Sequence, residues 1–164
     1  MTIKPPKTRR PRECKAVTIV LGIKTPQGVV LASDTQESYE SHKVSRPKLI
    51  FKSDETSVCG LPVTLAIAGA GTGPWLDKVS AEMWDALQDA TSLDEASSQI
   101  EEKIKTMYSE YRELVSYDLH AELIYGIGAS NGTRLFHAYG PIVNELGIKA
   151  AGSGQAIADF LMKF

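Results

Sequence analysis

Thr18 and Asp34 bracket the segment Thr18-Ile-Val-Leu-Gly-Ile-Lys-Thr-Pro-Gln-Gly-Val-Val-Leu-Ala-Ser-Asp34, two apolar, β-branched runs broken by a turn at Thr25–Gly28. That layout predicts a hairpin, with Thr18 at the start of one strand and Asp34 at the end of its antiparallel partner. The two ends then lie side by side. A hydroxyl and a carboxylate at one edge of a sheet form a reaction centre once something supplies a base, because a hydroxyl alone is a poor nucleophile.

The elements that must hold such a centre follow from the rest of the pattern. Residues 35–47 are polar and read as a loop, Lys48–Lys52 as a short strand, Ser53–Gly60 as turn-rich, and Pro62–Ala68 as an apolar strand running into Gly69-Ala-Gly-Thr-Gly73. Two helices follow. Thr72 is the expected N-cap of the first, with Pro74 in its first turn and Leu76, Val79, Met83 and Leu87 at helical spacing. Ser92 and Glu95 form a capping-box pattern for the second, whose apolar face is Ile100, Ile104, Met107, Tyr111 and Leu114. Ala121–Ala129 and Arg134–Tyr139 are expected strands around Asn131-Gly132, a hairpin signal because both residues accept positive φ. Leu146–Ala151 is a further strand, and Gly152-Ser-Gly154 leads into a last helix, Gln155–Phe164. Hairpins dominate and the helices are grouped, so the class is α+β with antiparallel sheets rather than alternating βαβ units.

The 164 residues suffice for one domain with a useful core, and 43% hydrophobic with 23% charged residues is ordinary for a globular chain. No stretch approaches the roughly 20 apolar residues of a membrane span, and no apolar leader suggests secretion. Cys14 and Cys59 lack metal-ligand spacing, and His42, His120 and His137 are scattered. The expectation is a reduced, cytoplasmic protein without zinc. The net charge of −2 hides an asymmetry. Residues 1–17 carry six bases and one acid, against twelve bases and nineteen acids in the remainder. With Pro5, Pro6 and Pro11 this tail should be extended and solvated. It has no aromatics and no folded platform for nucleic acid, so a leader or removable propeptide (1–17) before one domain (18–164) is the reading, with neither nucleic acid nor membrane as partner.

Several of these pieces together resemble the proteasome family, 20S subunits and their bacterial relatives. The opening hairpin Thr18…Gly22…Gly28-Val-Val-Leu-Ala-Ser-Asp34, the short strand Lys48-Leu-Ile-Phe-Lys52, the glycine turn Leu65-Ala-Ile-Ala-Gly69-Ala-Gly71 before a long helix, and Ala151-Gly-Ser153-Gly154 before a later one occur in the family's order across residues 18–164. The tail lacks the tyrosine- and aspartate-rich helix of the family's α-type subunits, which favours a β-type or bacterial-type subunit. The resemblance implies an αββα four-layer sandwich of two antiparallel sheets flanked by helices, the N-terminal-nucleophile (Ntn) hydrolase fold. It implies a threonine-type endopeptidase in a homo- or hetero-oligomeric ring, unfolded polypeptides as substrates, and an ATP-dependent unfoldase as partner. The chain has no GxxxxGK[ST] loop, so nucleotide dependence would reside in that partner. No metal or organic cofactor is implied.

In that scheme Thr18 is the nucleophile once Val17–Thr18 is cut, because its new α-amine, with a pKa of about 7.7–8.0 against about 10.4 for a lysine side chain, can take the hydroxyl proton near neutral pH. Such general-base help contributes roughly 10²–10⁴-fold. Lys48 would lie beside the hydroxyl with Asp34 holding it in place, Lys52 being the rival lysine. Gly69 would donate its N–H to the oxyanion, Ser153 would support the amine, and Ile67 would shape an apolar substrate pocket. Two departures stand against the pattern. Val17 and Ile19 flank Thr18 where active members usually have glycine before and often threonine after, and β-branched Val17 restricts the turn that self-cleavage needs. The chain also stops at Phe164, before the family's later helices and strands, so a C-terminally truncated domain, or a non-catalytic structural subunit, is the alternative expectation.

Overall fold

A computed structural model describes residues 18–39, 42–45, 47–54, 63–114 and 121–162. The basic tail, Val17, both cysteines and the last two residues of the expected final helix lie outside these described residues.

The predicted opening hairpin forms as β1 (Val20–Thr25) and β2 (Gly28–Ser33), paired from Val20↔Ser33 to Thr25↔Gly28. A late strand, β10 (Ile148–Ala151), adds to the other side of β1 to complete a three-stranded antiparallel sheet. The second sheet has five antiparallel strands in the order β5 (Leu49–Asp54), β6 (Val63–Gly71), β7 (Ala121–Ala129), β8 (Gly132–Tyr139) and β9 (Ile142–Glu145). Residues expected to form only a loop instead make a hairpin, β3 (Gln36–Tyr39) with β4 (His42–Ser45). β9 was likewise not anticipated.

Strand alternation sorts the side chains of the larger sheet into two cores. Val63, Leu65 and Ile67 of β6 and Leu123, Tyr125 and Ile127 of β7 pack under α1 (Gly73–Gln88) and α2 (Leu93–Leu114), against Trp75, Val79, Met83, Leu87, Ile100 and Ile104. Ala68, Ala70, Ile124 and Leu135 point the other way and meet Val20 and Ala151 of the smaller sheet. Three alanines, Ala68, Ala70 and Ala151, line this inter-sheet core beside Val20, Ile124 and Leu135. A Cβ on Gly22 of β1 would fall 2.5 Å from Ile124 Cγ2, so only glycine lets the sheets approach here.

The helix ends differ in detail from expectation. Thr72 occupies the N-cap of α1, but its hydroxyl makes no capping bond. At α2 the Glu95 amide donates to Ser92 Oγ at 3.2 Å as anticipated, whereas the Glu95 carboxylate accepts from the amide and hydroxyl of Thr91 instead of closing the box on Ser92. Leu114, expected on the buried face of α2, is exposed, because the helix has run past the sheet beneath it. α3 (Gln155–Leu161) follows β10 and buries Ala158. Helices, five-stranded sheet and three-stranded sheet thus form three layers of the expected sandwich. Beyond them, Val30 and Ile148, on one outer face of the smaller sheet, stay half exposed.

Tyr125 lies at the centre of the helix-side core, stacked on Phe136 with ring centroids 5.0 Å apart, and its hydroxyl is buried without a hydrogen-bond partner. Burial also pushes its pKa far above the ordinary tyrosine value. An unsatisfied buried polar atom costs roughly 1–3 kcal/mol. Tyr125→Phe should therefore raise the thermal midpoint by a few degrees, read by calorimetry; a fall would place an ordered water on that oxygen.

Candidate active site

Thr18 and Asp34 stand just beyond the ends of β1 and β2, where the ladder brings them together: the Asp34 amide donates to Ile19 O at 3.1 Å, and Asp34 Oδ1 accepts the Ile19 amide at 3.0 Å. Lys48, immediately before β5, reaches across from the larger sheet. Its Nζ lies 3.1 and 3.0 Å from the two Asp34 carboxylate oxygens and 3.2 Å from Thr18 Oγ1. The Lys48 and Asp34 side chains are only 14% and 26% exposed, so the pair is shielded from solvent more than a surface ion pair is. Burial by itself would raise the Asp34 carboxyl, but the Ile19 amide, the Lys48 ammonium and the Gln36 amide outweigh it and hold its pKa below the ordinary value. Lys52, the rival, is elsewhere, its Nζ 5.7 Å from the Trp84 ring centroid.

The turn between β10 and α3 closes on Thr18 from the other side. The Thr18 amide donates to Ser153 Oγ at 2.9 Å, and the Gly154 amide donates to Thr18 O at 3.0 Å. Gly152 adopts φ +87°, and a Cβ there would sit 2.4 Å from Thr18 O. The position requires glycine on both counts.

The structure therefore brings Thr18, Asp34, Lys48 and Ser153 into one hydrogen-bonded group. Gly69 stands apart from it: paired with Leu123, its missing Cβ faces Leu76 of α1. Ile67, expected to shape the pocket, belongs to the helix-side core. The part of β6 that borders the site is its end, Ala70 and Gly71. A cavity of about 340 Å³ beside Thr18 is lined by Ala70, Gly71, Ala121, Glu122, Tyr139, Gly152 and Ser153. Gly71, at the exposed end of β6 with φ +114°, is the glycine that borders it.

One cavity residue, Glu122, and its buried partner His137 were not anticipated. Glu122 Oε1 lies 2.7 Å from His137 Nε2, and Glu122 Oε2 accepts the Gly152 amide at 2.9 Å. Burial would raise the Glu122 carboxyl, but hydrogen bonds from His137 and Gly152 and the nearby charges of His137 and Lys149 bring its pKa below the usual value. Among the described residues no group of His, Cys, Asp and Glu could hold a metal ion, and no helix is long and apolar enough to cross a membrane.

The fold is shared with Anbu proteins. The chain superposes on Anbu (ancestral beta-subunit) from Yersinia bercovieri with a TM-score of 0.67 at 19% identity, covering 87% of this chain and 65% of that one. The Gly-1 mutant of Anbu from Hyphomicrobium sp. strain MC1 gives 0.69 at 15% identity over 90% and 65%. Anbu from Pseudomonas aeruginosa, solved as a helical assembly, gives 0.67 at 16% over 89% and 65%. The chain thus spans 65% of the length of these neighbours. No family model matches the sequence, and no curated protein matches it. These findings correct the family suggested by the sequence motifs: the likeness is to Anbu, which is proteasome-related but distinct, and not to a 20S proteasome β-type subunit or its bacterial counterpart.

Proposed function

We propose that this chain is a threonine-type peptidase subunit, an N-terminal-nucleophile hydrolase, of an Anbu-like assembly of like copies. The observation that carries this reading is the single ammonium, Lys48, shared between Thr18 Oγ1 and the Asp34 carboxylate, with Ser153 Oγ on the Thr18 nitrogen. Cleavage of Val17–Thr18 would turn that nitrogen from an amide into an amine held beside its own hydroxyl. The amine takes the hydroxyl proton, directly or through one water, as Oγ1 attacks a substrate carbonyl. The acyl group then rests on Oγ1 and the proton passes to the leaving amine; water attack releases the acid and restores Thr18. Lys48 stabilises the developing negative charge on Oγ1. Backbone N–H groups at the exposed end of β6, near Gly71 rather than Gly69, are the candidate donors to the oxyanion. A nucleophile recessed between two sheets suits unfolded polypeptide, which an ATP-dependent partner would supply. Assembly is supported by the helical arrangement of the Pseudomonas aeruginosa neighbour.

A second reading, a non-catalytic subunit of the same kind of assembly, is favoured by β-branched Val17 before the scissile bond. Mass spectrometry of the assembled protein separates the two. The peptidase reading expects a chain beginning at Thr18 and a threonine-directed electrophile attached to that residue. A chain still beginning at Met1 or Thr2, with no adduct, would overturn it.

A further inference from the structure

The Glu122–His137 pair has no part in the chemistry just described, yet it lies against the residues that do. Glu122 and His137 are diagonal neighbours on β7 and β8, since Glu122 pairs with Tyr139 and Ile124 with His137. Both project from the face of the larger sheet that meets β1 and β10, where Ala68, Ala70, Ile124 and Leu135 form an apolar core. A carboxylate in such surroundings is destabilising unless its oxygens are satisfied, and here each oxygen has a protein partner: Oε1 the imidazole, Oε2 the amide of Gly152. The side chains are 17% and 10% exposed.

Gly152 opens the turn that seizes Thr18. Ser153 accepts from the Thr18 nitrogen, Gly154 donates to the Thr18 carbonyl, and the Gln155 amide donates to Gly152 O at 3.0 Å to close the turn on itself. The turn touches the larger sheet through the Gly152–Glu122 bond. Glu122 sits directly across from Ala70, one residue before Gly71. The same carboxylate therefore fixes the distance between the Ser153 side of the cavity and the Gly71 side.

We infer that Glu122, braced by His137, is a positioning residue that sets the Gly152–Gly154 turn against Thr18. This rests on Thr18 being the nucleophile. The role belongs to the acceptor atom at that reach. Glu122→Gln keeps an oxygen in place for the Gly152 amide and loses the charge, whereas Glu122→Asp keeps the charge and loses a methylene of reach.

The experiment compares wild type, Glu122→Gln and Glu122→Asp in the assembled protein by two readouts: the saturating rate of electrophile attachment to Thr18, and hydrogen exchange of the Gly152 and Gly154 amides. The expected result is a Gln variant within a few-fold of wild type in both. The Asp variant should attach electrophile roughly 10–10²-fold more slowly with little change in half-saturating concentration, as small misplacements of reacting groups do, and should exchange those amides faster. Equal rates and protection in wild type and the Asp variant would overturn the inference. So would a Gln variant that falls as far as the Asp variant, because charge and not placement would then matter. A wild type that takes no label at Thr18 overturns the peptidase reading instead, and the exchange measurement still decides whether Glu122 holds the turn.

Discussion

Lys48→Met should slow acylation of Thr18 by about 10²–10³-fold, the range found when one preorganised donor is removed from a site of developing charge. Nζ is 3.2 Å from Oγ1, close enough to stabilise the oxygen as its proton leaves, and methionine fills similar space without a donor. The substitution also leaves Asp34, among the described residues, with its two backbone donors, Ile19 and Gln36. The sign of the accompanying pH effect follows from the depressed Asp34 pKa. A carboxylate held below its unfolded value of about 3.9 adds stability above that pH, which disappears as pH falls through the folded value. Without Lys48 the folded value rises toward 3.9, so part of the neutral-pH contribution disappears and the difference between wild type and variant shrinks in acid. Lys48→Arg should not restore the rate: the guanidinium has donors enough, but its longer planar fork cannot occupy the one point from which the compact ammonium meets both Oγ1 and Asp34. Electrophile attachment rates and thermal melts between pH 3 and 7 measure both effects. A methionine variant that acylates at the wild-type rate would remove Lys48 from the mechanism.

How far the site could be read in advance depends on which forces place each residue. Thr18 and Asp34 were legible because a hairpin of fixed register brings its outer ends together, and the turn chemistry of Thr25–Gly28 fixes that register. Lys48 and Ser153 came only through the family resemblance; nothing in their local sequence announces a lysine at the mouth of a strand or a serine in a turn as partners of residue 18. Gly69 and Ile67 were assigned from that resemblance as well; period-two alternation along β6 puts the Ile67 side chain on the helix side, away from the face of Ala68 and Ala70 that meets Val20, but does not bear on the Gly69 amide. Glu122 and His137 were missed because the expected turn sat one residue too late. A hairpin centred on Asn131-Gly132 puts residue 122 opposite 141, whereas the observed ladder turns on Ser130-Asn131, and only that register sets Glu122 opposite Tyr139 and diagonal to His137. The β3–β4 hairpin left no trace either, since the sequences of Gln36–Tyr39 and His42–Ser45 show no apolar alternation. The helices were plain because α1 and α2 must bury a face against β6 and β7, and only their exposed ends escaped the pattern.

Gly152→Ala should abolish the site more thoroughly than any other single methyl group added to the chain. At φ +87° an alanine costs about 1–2 kcal/mol in backbone strain alone. Its Cβ would also fall 2.4 Å from the carbonyl oxygen of Thr18 and 3.3 Å from Ala70 Cβ. The first contact is backbone on backbone, so no rotamer change relieves it. Either the turn withdraws, taking Ser153 and the Gly154 amide with it, or Thr18 moves away from Lys48. Both break the group that the proposed chemistry requires. A displacement of this kind lowers rates by 10² or more. The thermal midpoint should fall as well, by roughly 4–8 °C for a loss of about 2 kcal/mol in a chain of this size. Gly147→Ala is the matched control, because a Cβ there has no heavy atom within 4 Å. It should leave both the midpoint and the Thr18 adduct unchanged. If Gly152→Ala lost stability yet acylated normally, the turn would be a structural closure of β10 onto α3 with no hold on the nucleophile. If it lost acylation at an unchanged midpoint, the strain would be absorbed entirely by displacement of Thr18, which places the weakest joint of the fold at the reacting residue itself.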